Sequence, residues 1–134
     1  MFTLDSGTDC QVIKTYGVKE DKWGKVVTLF VTVPRKKPSG EPTGNSDSII
    51  VEFRIQRDLS MDEATMFMEA CSLKPGDFLH FTGNLHCQSI EDKDGGRKFS
   101  AKVSGKSIAT HYHLQCRKRV EQWYEAQKRK EEVV

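Results

Sequence analysis

Hydrophobic and polar positions alternate with a period of two along several stretches, the mark of strands with one buried face. In residues 48–57, Ile49, Val51, Phe53 and Ile55 fall on one side, and Glu52, Arg54 and Gln56 on the other. In residues 77–90, Leu79, Phe81, Leu85 and Cys87 oppose His80, Thr82, Asn84, His86 and Gln88. Residues 97–108 set Phe99, Ala101 and Val103 against Lys98, Ser100 and Lys102, with Gly105 placed for a bulge or a tight bend. Residues 25–35 are dense in Val, Thr and Phe; Leu29, Val31 and Val33 share the core phase and Phe30 falls out of it. Residues 10–18 are mixed but β-rich. Five strands are therefore predicted.

The pattern switches to a helix between the third and fourth strands. Ser60 and Glu63 form a capping box, and Met66, Phe67 and Ala70 supply an apolar face. Lys74-Pro75-Gly76-Asp77 ends that helix, and Asp94-Gly95 predicts a hairpin flanked by the turn residues Asp92 and Asp94. Pro38 to Asn45 reads as a long, polar, mobile loop. Residues 114–134 read as a charged helix that frays at its end, with Leu114, Val120, Trp123 and Tyr124 as a thin apolar stripe. The order β-β-β-α-β-β is that of an all-β OB-fold, a five-stranded Greek-key barrel, spanning residues 1–110 with a helical tail at 111–134. A generic α+β sandwich is the alternative.

Composition narrows the function more by exclusion. The chain has 134 residues, 21 Lys plus Arg against 19 Asp plus Glu, and a formal charge of +2. That balance excludes a polycation and an acidic disordered chain, but leaves nucleic-acid binding open, since the layout of charge decides it. No apolar run approaches the ~18 residues of a membrane span, and Met1-Phe2-Thr3-Leu4-Asp5-Ser6 lacks the marks of a secretory signal. Cys10, Cys71, Cys87 and Cys116 form no CxxC pair and are expected to be buried small hydrophobes in a reducing, cytoplasmic setting (a host cytoplasm if the source is viral). His111-Tyr112-His113-x-x-Cys116 has metal-ligand types without a second half at zinc spacing. With no Gly-rich phosphate loop and no nucleophile elbow, the expectation is a non-enzyme without catalytic residues, metal or cofactor.

The run VVTLFVTVPR, then IIVEFRIQR, a short helix, LKPGDFLHFTGNL and the EDKDGGRKFSAKV hairpin resembles bacterial and phage-type single-stranded DNA-binding proteins over residues 10–108. Leu73-Lys74-Pro75-Gly76, Gly83-Asn84-Leu85, Asp94-Gly95 and Lys98-Phe99 carry the likeness. Two positions depart from the pattern. The chain ends Lys128-Arg129-Lys130-Glu131-Glu132-Val133-Val134 rather than in an acidic Pro-Phe tip, and Ile90 stands where a stacking Trp is common. The resemblance implies coating of single strands in replication or recombination, assembly as a homodimer or homotetramer, contacts with replication or recombination proteins, and a phage- or plasmid-like variant of the family.

Binding a strand without reading sequence needs cations for phosphates and rings for bases. Lys98, Lys102 and Lys106 are expected as a stripe on the fifth strand, Arg54 on the third, Lys14 on the first, and Arg35, Lys36 and Lys37 at the mouth of the long loop. The stacking candidates are Tyr16, Trp23, Phe30, His80 and His86, while Phe53, Phe81 and Phe99 belong to the core. The groove is expected on the polar face of strands three to five, with strand two alongside. Each residue has a plainer role: exposed lysines, and Arg117-Lys118-Arg119 in the last helix, keep a surface soluble, and exposed rings cover a barrel rim or a subunit contact. An RNA-binding OB module and a protein-binding adaptor are the rival functions.

Overall fold

A computed structural model describes residues 2–7, 9–56, 60–91 and 93–132. Six strands and two helices follow in the order β1 (Phe2–Asp5), β2 (Cys10–Asp21), β3 (Gly24–Lys36), β4 (Pro42–Ile55), α1 (Met61–Ser72), β5 (Phe78–Glu91), β6 (Arg97–Ala109) and α2 (His113–Glu132). The sheet runs β1-β5-β2-β3-β4-β6, and β5 also pairs with β6, so the strands close into a ring. All pairings are antiparallel except β4 with β6. This is the OB barrel, and the alternating pattern is its cause: Leu29, Val31, Val51, Phe53, Phe81 and Val103 are fully buried inside it. No described helix is long and apolar enough to cross a membrane.

Three elements differ from the sequence pattern. The first strand of the barrel is interrupted, with β1 and β2 both lying along β5. Between them Asp5 accepts from the Gly7 amide in a tight turn, while buried Ser6 donates its amide to the Phe81 carbonyl and accepts from the Phe81 amide. Ser6 thus patches the ladder across the break. The polar stretch read as a mobile loop is mostly strand: β4 begins at Pro42, its register with β3 runs on through Val33↔Asp47 and Pro34↔Ser46, and only residues 37–41 form the turn. Both faces of this arm meet solvent, so no apolar alternation reveals it. Finally, Cys71 and Cys87 are exposed, whereas Cys10 and Cys116 are buried as expected. Cys87 and Ala101 are cross-strand partners beyond Leu85 and Val103, where the β5–β6 hairpin leaves the barrel.

Ser60 caps α1 by accepting from the Glu63 amide, as the capping box requires. The buried face of α1 is Thr65, Glu69 and Ala70, with Met66 and Phe67 half-buried against the core. In α2 the packing stripe is Cys116 and Val120, so Val120 of the expected stripe is buried, while Leu114 is 82% exposed and Trp123 56%. α2 sits on α1 through these residues, an Arg117–Asp62 pair at 2.7 Å, and a Glu69–His113 contact at 2.9 Å. The end of the tail, Val133 and Val134, lies outside the described residues.

Glu69 is a buried carboxylate that periodicity alone did not single out. It is 1% exposed, and its Oε1 accepts from His113 Nδ1 and, at 3.4 Å, from Thr110 Oγ1. Burial pushes its carboxyl above the ordinary glutamate value, against the pull of those two partners. A carboxyl whose folded value is raised lends stability that is full below its unfolded value and is lost as pH climbs through the folded one. Glu69→Gln keeps an acceptor for His113 and removes the titration. Its melting temperature should therefore gain on the wild type as pH rises from about 4 to 8, measured by thermal denaturation. A difference that does not vary with pH contradicts this account.

Candidate nucleic-acid interface

Pairing register assembles the outward residues of the barrel into rows. Lys14 of β2 lies beside Phe30 of β3, Phe30 beside Ile50 of β4, Ile50 beside Lys102 of β6, and Lys102 beside His86 of β5. Each strand of the ring contributes one side chain, and the row spans about 19 Å at ordinary strand spacing. The phase is fixed by the neighbours: Leu29, Val51 and Val103 point inward and are fully buried. A second row runs Thr28, Glu52, Ser104 and Asn84. Phe30 is half-buried, with Lys14 and Ile50 as its cross-strand neighbours.

Two further rings border these rows. Tyr16 occupies a register break in β2 beside Gly17, whose φ of 75° forces the bulge, and the Lys14 ammonium lies 4.9 Å from its ring centre. Trp23 sits in the turn between β2 and β3, 63% exposed, with the Lys22 ammonium 4.3 Å from its ring centre. Its amide donates to Asp21, so the turn is held and the ring projects from a fixed backbone.

The cations divide into two groups. Arg35 is clamped by Asp47 at 2.6 Å, Arg54 by Asp21 at 2.7 Å, and Lys102 reaches Glu52 at 3.6 Å. These contacts hold the Asp47 and Asp21 carboxyls below their ordinary values, chiefly through the arginine hydrogen bonds. Lys14, Lys36, Lys37 and Lys106 form no ion pair among the described residues. Glu52 stands in the groove face itself, in the row of Thr28, Ser104 and Asn84.

Not every expected residue joins the face. The side chains of Lys98, Phe99 and Ile90 lie outside the described residues. Lys106 is the extra residue of a bulge, because Gly83 pairs with Gly105 while Thr82 pairs with Ser107. It turns toward a cavity of about 320 Å³ that Glu69, His113 and Arg117 also line. The predicted lysine stripe is therefore broken after Lys102. His80 lies six residues from His86 along β5, about 20 Å away, and bonds Asp5 across the β1–β5 pairing at 2.6 Å. Arg117 is engaged by Asp62 and Glu121. His113 and Cys116 face Glu69 and Ser72 respectively, and the His111 ring packs on Tyr112 at 3.9 Å.

Sequence reasoning missed Ile50, the pairing of Asp21, Asp47 and Glu52 with cations of the face, and the exposed rings of Phe2 and Phe78. Ile50 carried a signal: it breaks the polar face of its strand in the same way that Phe30 breaks the face of its own.

An OB barrel bearing a row of ring, aliphatic and cationic side chains across all five ring strands is the class these features define. The small single-stranded DNA-binding protein of Streptomyces coelicolor is similar in structure, with a TM-score of 0.58 and 17% identity over 81% of this chain and 93% of that one. The mitochondrial single-stranded DNA-binding protein Rim1 of S. cerevisiae is also similar, with a TM-score of 0.50 and 11% identity over 82% and 94%. At these identities the likeness is one of fold. No protein-family model matches the sequence, and no curated protein sequence matches it.

Proposed function

We propose that this protein binds single-stranded DNA with little sequence preference, stacking bases on Phe30, Tyr16 and Trp23 while lysines meet the phosphates. The observation that carries the reading is the Lys14–Phe30–Ile50–Lys102–His86 row, which places a ring between cations on a continuous surface. Every base has a stacking face, so such a surface is tolerant of sequence. The solved structures of similar fold are of single-stranded DNA-binding proteins, which supports the same reading. The role is binding rather than catalysis, in coating strands during replication or recombination. Assembly as a homodimer or homotetramer extends the reading, since one barrel covers few nucleotides.

A second reading, a protein-binding adaptor, is favoured by one feature. A groove of about 750 Å³ lies between α1, α2 and the β2–β3 turn, floored by Ala64, Phe67, Met68, Val120 and Trp123. Titrating a Trp123→Phe variant with oligo-dT, oligo-U and duplex DNA at two salt concentrations separates the readings, because Trp23 then reports alone. Quenching by oligo-dT that weakens with salt is expected. A stronger response to oligo-U assigns an RNA ligand, and a flat response to all three leaves the adaptor.

A further inference from the structure

We infer that Asp21, Asp47 and Glu52 are specificity-determining residues that make binding depend on unpaired bases and so reject duplex DNA. The inference rests on the single-strand reading and concerns the same surface. Each carboxylate sits on one of the cations of the face: Asp47 on Arg35, Asp21 on Arg54 and Glu52 on Lys102. The three are spread from the β2–β3 turn, through the second row, to the β3–β4 arm. None of these pairs is needed to hold the barrel. They lie at the surface, where ion pairs contribute little to folding, and the strands that bear them are already joined by backbone ladders.

What they change is the approach of a phosphate chain. A phosphate that takes Arg35, Arg54 or Lys102 must displace a carboxylate and then remain beside it. Attraction without such exchange comes from lysines that form no ion pair among the described residues, Lys14, Lys22, Lys36 and Lys37 among them. Duplex DNA offers phosphates at high density but hides its bases, and its sequence-independent affinity comes almost wholly from phosphate neutralisation. A single strand adds stacking, roughly five- to hundredfold in affinity per ring. A face on which three of the cations are already matched therefore penalises the ligand that has only charge to offer. Repulsion against the wrong ligand, not extra attraction for the right one, sets the preference.

The test compares wild type with an Asp21→Asn/Asp47→Asn/Glu52→Gln variant, binding a labelled oligo-dT and a duplex of equal length at about 50 and 200 mM salt. In the variant, duplex affinity should rise about tenfold or more at the lower salt, and the slope of log affinity on log salt should steepen by about two. Affinity for oligo-dT should rise about threefold or less, so the preference narrows. Equal gains for both ligands, or an unchanged preference, overturn the inference while leaving single-strand binding intact. A wild type that ignores oligo-dT overturns both. Asp47→Asn alone, on the arm beyond the barrel, gives the same comparison without disturbing the core, with an expected two- to threefold duplex gain; no gain there counts against the inference.

Discussion

Replacing Phe30 with alanine should weaken oligo-dT binding about five- to hundredfold, the loss of one base–ring contact worth ~1–3 kcal/mol. Phe30 is the ring at the centre of the outward row, with Lys14 on one side and Ile50 on the other. Its backbone is held by two ladders, so a base meets a surface that needs no rearrangement. The inward neighbours Leu29 and Val31 are fully buried and make no use of the Phe30 side chain's outer face. Stability should fall by only about 1 kcal/mol, since the ring is half-buried and fully burying it is worth ~1.5–3 kcal/mol. Fluorescence anisotropy for affinity and thermal denaturation for stability separate the two effects. Lys14→Ala is the companion variant: it should flatten the salt slope by about 0.7, one phosphate contact on a single strand, and cost less affinity. An affinity for Phe30→Ala within twofold of wild type moves the binding surface elsewhere.

How much of this was legible in the sequence depends on which link is asked for. Facing follows from period-two alternation, so Phe53, Phe81 and Val103 inside and Phe30, Lys102 and His86 outside were readable. Register is not a property of one strand. It placed Lys14, Phe30, Ile50, Lys102 and His86 side by side, although they come from positions as far apart as 14 and 102. The ion pairs follow the same logic: Asp21 meets Arg54 across 33 residues, Arg35 meets Asp47 across 12, and Lys102 meets Glu52 across the parallel β4–β6 pairing. A count of charges on one strand sees the cation and not its partner. The β3–β4 arm failed for a different reason. Residues 42–48 are all exposed, and a strand with two wet faces has no apolar alternation to betray it.

Gly105 shows how the two kinds of information combine. In the sequence it marks a bulge or a bend, which invites an explanation from backbone freedom. Its φ is not among the positive ones, so an alanine's own backbone is permitted there. The constraint is space instead: a Cβ at this position would lie closer than 3.0 Å to three ring carbons of Phe53, which is fully buried and has nowhere to go. Overfilling a packed core costs ~1–3 kcal/mol, so Gly105→Ala should lower the melting temperature by roughly 3–12 °C. Phe53→Leu opens the room the new methyl needs. In that background the cost of Gly105→Ala should shrink by about 1 kcal/mol or more, a coupling measurable by chemical denaturation of both single variants and the double. Additive losses would place the glycine's requirement outside the ring contact. The same contact reaches the binding surface, because Gly105 follows directly on the Lys102–Ser104 segment whose parallel pairing with Ile50–Glu52 closes the barrel. Below its midpoint the Gly105→Ala variant should bind oligo-dT as the wild type does, and lose binding in step with unfolding. Binding lost while the barrel stays folded would make Gly105 part of the interface itself.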